Sequence, residues 1–208
     1  MSVNTKNYPK KVKVFLDDVY DNALKNNIEI RLGSGKSIQL GAGQYGGGYF
    51  CSAERTLAVA TNMSLAKWLG IFVHESCHLD QWAENSRYWN LDLEKSYKIF
   101  DKYIAGSEQK NIESAIDNIV MMEADCERRA YRKIEEYGLP LCLDRYARQA
   151  NSYLYGHKAM LHYKSWYKRN MPKMNYVHRF MPTEIYAPHK YRMKNAAIDP
   201  TLFEKCFV

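Results

Sequence analysis

At 208 residues and 24.3 kDa the chain suits one domain and is long enough to bury a real core. Hydrophobic residues make up 46% and charged residues 25%, which excludes an extended disordered chain, and no run approaches the roughly 18 uncharged apolar residues that a membrane span needs. The net charge of +7 is concentrated at one end: residues 145–208 hold twelve Lys and Arg against three acids, a net +9, with eight of the seventeen tyrosines and four of the six histidines.

The N-terminal segment MSVNTKNYPKKVKVFLDD places charges where a signal peptide needs its apolar run, so the chain is expected to stay in the cytoplasm. Residues 9–27 carry Val12, Phe15, Leu16, Val19, Ala23 and Leu24 at helical spacing and predict an amphipathic helix. A β region follows. IEIRL and SIQLG flank GSGK and read as a hairpin, and after the cluster GQYGGG come YFC and RTLAVA, separated by a turn. The string GSGKS is not a phosphate loop, which requires glycine five residues before Gly35, where Ile30 stands. Glycines 46–48 read as a turn in preference to a close backbone approach. Thr61, Asn62 or Ser64 caps a helix predicted over about 64–88. A long helix is predicted over about 108–137, stopped by Gly138-Leu139-Pro140, and another over 143–169. From Met171 the pattern becomes a Pro-containing, Tyr-rich tail with little expected regular structure. Residues 1–170 are thus expected to form the domain and 171–208 a basic tail packed on it or extending from it. The five cysteines (51, 77, 126, 142, 206) are odd in number and form no CxxC pair, which fits free thiols in a reducing compartment.

The chemistry concentrates in VHESCHLDQW, residues 73–82. Positions i and i+4 share a helix face, so His74 and His78 can turn two imidazoles on one metal ion, and Glu75 can act as general base on a water that the ion acidifies. A third ligand comes from the helix over 108–137. Its core-facing stripe runs Ile112, Ile116, Ile119, Glu123, Glu127, Ala130, Ile134, and carboxylates on such a stripe are costly to bury unless a cation offsets them. Glu123 is therefore assigned as third zinc ligand, with Glu127 as the outer carboxylate that orients a ligand histidine, giving one Zn2+ per chain with water as its fourth ligand. Cys77 and Cys126 read as small packed residues, and Gln81 as a surface residue by default. The metzincin pattern HExxHxxGxxH is excluded, since its last position is Glu84. Tyr153, Tyr155, His157 and His162 are candidates for stabilising an oxyanion, without a choice among them.

HESCH followed 45 residues later by Glu123 in MEADCERRA resembles the gluzincins, zinc metallopeptidases in which a glutamate from a later helix completes the HExxH site. More closely, HESCHLDQW, EADCERRA, YGLP and ANSYLYGH are similar to metallopeptidase-type proteins encoded by tailed bacteriophages, over about residues 45–160. The resemblance implies an α+β, zincin-like fold, mainly helical, with a small and mostly antiparallel sheet before the HExxH helix. It also implies a peptide or protein substrate held by β-addition along RTLAVATN as an edge strand, and action in the host cytoplasm. The expected function is a zinc-dependent peptidase. Two alternatives stand beside it: a non-catalytic, zinc-stabilised regulator that recognises nucleic acid or an acidic host factor through the basic C-terminal region, and a hydrolase of another amide such as a cell-wall peptide. No membrane partner is expected.

Overall fold

The computed structural model describes residues 8–41, 44–164, 171–192 and 194. It is α+β and mostly helical, with little strand. The chain forms two compact units, residues 1–86 with 129–141 and residues 87–128 with 142–208.

The first unit opens with α1 (Lys10–Lys25), which buries Val12, Phe15, Leu16, Val19 and Ala23 at the predicted spacing. Leu24, expected on that face, is 77% exposed. Asn27 ends the helix in the left-handed conformation (φ 55°), letting the Ile28 N–H reach back to the Ala23 carbonyl at 2.8 Å. Five strands follow, β1 (Glu29–Gly33), β2 (Ile38–Gly41), β3 (Gln44–Gly46), β4 (Gly48–Cys51) and β5 (Thr56–Ala60). The predicted turn between YFC and RTLAVA is there, joining β4 antiparallel to β5. The predicted hairpin across GSGK is not. β1 pairs parallel with β5, in the order β1-β5-β4, and β2 pairs antiparallel with β3. All five residues of β5 are buried, so this strand takes the centre of the sheet and needs a neighbour on each side. The sheet is accordingly mixed, and RTLAVATN does not supply the expected edge: its backbone is paired with both β1 and β4.

Glycines 46–48 also depart from expectation, since they sit in or beside strands with none at positive φ. They permit close approach. A Cβ on Gly47 would stand 2.5 Å from Ile71 Cδ1, and one on Gly48 would stand 2.6 Å from Ile71 Cγ2 and 2.9 Å from the Ala58 carbonyl oxygen. The helix carrying Ile71 is α2 (Leu65–Ala83), which follows Ser64 and buries Trp68, Leu69, Phe72 and Val73. The Phe72 ring meets Phe15 edge-on, centroids 6.0 Å apart. α2 stops short of residue 88 because Asn85 turns left-handed (φ 52°) and the Ser86 N–H closes on the Gln81 carbonyl at 2.8 Å.

The second unit begins with α3 (Leu93–Ile104), a helix not among the predicted elements although Leu93, Tyr97, Phe100 and Ile104 fall at helical spacing; its buried residues are Ser96 and Phe100. α4 (Ile112–Glu136) passes from this unit into the first. Its predicted stripe is buried from Ile116 to Ile134, glutamates included, while Ile112 is half-buried. Gly138 (φ 55°) stops it as predicted, the Leu139 N–H bonding the Ile134 carbonyl at 2.9 Å. α5 (Leu143–Tyr163) is followed by α6 (Met171–Phe180) and a 3-10 turn at Pro188–Tyr191, so the tail carries more regular structure than its composition suggested. Residues 165–169 of the helix predicted over 143–169 lie outside the described residues.

The core of this unit comprises Phe100, Ile116, Ile119, Val120, Ala124, Leu154, Met160 and Tyr191. α5 ties the tail down through main-chain carbonyls. Arg148 donates to the Arg179 and Met181 carbonyls at 2.6 and 2.9 Å, and Asn151 donates to those of Pro182 and Glu184 at 2.9 Å. Lys158 donates to the Arg192 carbonyl, and the fully buried Tyr191 hydroxyl donates to Asn151 Oδ1 at 2.5 Å. Among the described residues no helix is long and apolar enough to cross a membrane.

Candidate metal centre

His74 and His78 stand one turn apart on α2 with their Nε2 atoms 3.1 Å from each other. Two ligands on one tetrahedral zinc at 2.0–2.1 Å bonds are about 3.3 Å apart, so this spacing suits a single ion. The His78 ring is pinned from behind: Nδ1 lies 2.9 Å from Gln81 Oε1, an atom that can only accept, so Nδ1 carries the proton and Nε2 presents a lone pair. Gln81 is fully buried, not a surface residue. Its contact was legible only as a spacing, i+3 from His78.

The rest of the motif is built into the first unit. Glu75 and Cys77 are buried on α2. Asp80 accepts from Asn22 Nδ2 at 2.8 Å and pairs with Lys133 Nζ at 2.6 Å, and the same ammonium donates to Ser76 Oγ at 3.1 Å. These contacts fix the face of α2 away from the histidine nitrogens. They explain why the motif carries Ser and Asp where a helix of this burial would otherwise be apolar.

On α4, Glu123 and Glu127 are 5% and 6% exposed, as the stripe requires. Glu127 Oε2 accepts from the Tyr146 hydroxyl of α5 at 2.5 Å, a partner that no sequence spacing could have named. His157, also on α5, is buried and its pKa is lowered, by desolvation first, with the Glu123 charge acting in the opposite direction. Its Nδ1 donates to the Tyr153 carbonyl at 3.1 Å. Tyr153 and Tyr155 pack against the core of the second unit, and the side chain of His162 lies outside the described residues.

His74, His78 and Cys126 make up a His/His/Cys set that can hold a metal ion. Cys126 was expected only to pack. It is fully buried and, like Cys51, Cys77 and Cys142, takes part in no disulfide among the described residues. Imidazole and thiolate are both zinc donors, so the chemistry of this set fits that ion. No protein-family model, curated protein or solved structure matches the chain.

Proposed function

We propose that the chain is a zinc-dependent peptidase of zincin-like fold, with His74, His78 and Glu123 as protein ligands of one zinc ion, Glu75 as general base and Glu127 as supporting carboxylate. The observation that carries this reading is the 3.1 Å approach of the two Nε2 atoms, with the His78 tautomer set by Gln81. A zinc ion bound there supplies a Lewis acid and brings the pKa of a water toward neutrality. Glu75 takes a proton from the attacking water and returns it to the departing amine as the C–N bond breaks. With β5 paired on both sides, an extended substrate would have to add at β1 or β4.

The grouping of His74, His78 and Cys126 favours a second reading, in which the Cys126 thiolate is the third ligand. Elemental analysis after mild chelation separates the two. One zinc per chain is expected in wild type and in Cys126→Ser, lost in Glu123→Ala and weakened in Glu127→Ala. Zinc lost with Cys126→Ser and kept with Glu123→Ala transfers the site to the thiolate set, and a metal-free wild type refutes both. Glu75→Gln should keep its zinc and lose cleavage of a mixed peptide library followed by mass spectrometry; retained cleavage would remove Glu75 from the mechanism.

A further inference from the structure

At the start of α5 the second unit has a cavity of about 670 Å3 whose lining includes Arg145, Arg148, Arg179, His178, Gln149 and, as its single acid among the described residues, Asp144. The cations divide into two kinds. Arg148 is committed, its NH1 holding the Arg179 and Met181 carbonyls and so joining α5 to the end of α6. Arg145 and Arg179 are exposed, and their guanidiniums make no ion pair or hydrogen bond among the described residues. Burial and then the Arg145 charge lower the pKa of His178, so the ring is neutral at neutral pH while the recess already carries excess positive charge. Guanidiniums gathered at a recess with one carboxylate among them attract an anion, and their planar donors match phosphate oxygens.

α6 adds a second feature. Tyr176 and Phe180 are 37% and 55% exposed and lie one turn apart with ring centroids 4.9 Å from each other. They share this short helix with His178 and Arg179. An acidic peptide would use the arginines and leave the rings idle. A single-stranded nucleic acid uses both, because its phosphates take the cations and its unstacked bases take the aromatic faces.

We propose that this recess binds the phosphodiester backbone of single-stranded nucleic acid, with Arg145 and Arg179 on phosphate oxygens and the Tyr176–Phe180 pair stacking against bases. The site is separate in sequence from the histidine motif, and its test needs neither zinc nor catalysis.

The experiment is fluorescence anisotropy with the full chain and a labelled oligothymidylate over a salt series, with labelled polyglutamate of similar charge as the comparison. Binding at low salt is expected, with log affinity falling linearly in log salt. Arg145→Glu with Arg179→Glu should weaken it at least about tenfold, and Tyr176→Ala with Phe180→Ala about fivefold or more. Thermal melts should match wild type; if the charge-reversed chain melts early, Arg145→Gln with Arg179→Gln carries the same test. Absence of binding at low salt, or affinity indifferent to both arginines, overturns the proposal. Polyglutamate bound as tightly as the oligonucleotide, with the aromatic double variant unchanged, overturns it in favour of an acidic protein partner.

Discussion

Gln81 is the smallest part of the proposed centre with a separable effect. Its side-chain oxygen leaves His78 one tautomer, and without it the Nδ1–H loses a buried acceptor. Gln81→Ala should weaken zinc binding about 10- to 100-fold in competition with a chelating dye, while Gln81→Glu, which keeps the acceptor, should stay near wild type. Equal affinities for all three would show that Gln81 does not orient the ring. A different single-residue effect belongs to Lys158, whose pKa burial lowers from 10.5 to about 8. Between those values the unfolded chain keeps a proton that the folded chain has released, so raising the pH stabilises the fold. The reverse holds further up, since the Asp18 hydrogen bond first and then burial push the Tyr137 phenol up to about 12. Urea midpoints should therefore rise with pH from about 8 towards 10 in wild type relative to Lys158→Met, and a flat difference would count against the Lys158 assignment.

At the scale of elements, the contact of β4 with α2 depends on what Gly48 lacks. Gly48→Ala forces a methyl against Ile71 and the Ala58 carbonyl, and the second of these is backbone that cannot swing aside. A loss of about 1–3 kcal/mol is expected in urea unfolding. Gly70, inside α2, has open space where a methyl would stand, with nothing within 4 Å, so Gly70→Ala should stabilise by about 0.5–1 kcal/mol through helix propensity. Opposite signs for two Gly→Ala changes in contacting elements would confirm that α2 is packed on its sheet face and open at Gly70. The elements themselves were unevenly legible. α1, α2, α4 and α5 are long and periodic, whereas α3 is shorter and was not predicted, although Leu93, Tyr97, Phe100 and Ile104 fall at helical spacing; its Ser96 hydroxyl donates to the Asp92 carbonyl at 2.7 Å. Strand partners were misread because GSGK has turn chemistry, and nothing local to IEIRL reports that β5 lies beside it in parallel.

For the molecule as a whole, residues 179–192 are a structural part of the second unit. Tyr191 is fully buried in its core, with its hydroxyl bonding Asn151 and accepting from the Tyr186 N–H at 2.9 Å. Tyr191→Ala should cost about 3–5 kcal/mol in denaturant unfolding, and Tyr191→Phe about 1–3 kcal/mol through the acceptor and donor left behind. A near-neutral Tyr191→Ala would mean that the tail is an accessory that can leave. The positive charge of this region has a corresponding division of labour. Arg148 and Lys158 are spent on carbonyls within the unit, and Arg145 and Arg179 are left at the surface.

Taken alone, the amino-acid order determined the features that repeat over short distances. These are the helix faces, the left-handed stop at Gly138, the two histidines on one face of α2 and the two glutamates on the buried stripe of α4. Each follows from the 3.6-residue period or from a single residue's conformational range. Tertiary structure decided what depends on residues far apart in sequence. It put β5 at the centre of its sheet, spent the glycine cluster on close packing and buried Gln81 behind His78. It also gave Glu127 the Tyr146 hydroxyl and tied residues 179–192 to α5. The physical reason is common to all of them. A buried polar atom or an unpaired strand edge must find a partner, and which partner it finds is a property of the packed chain.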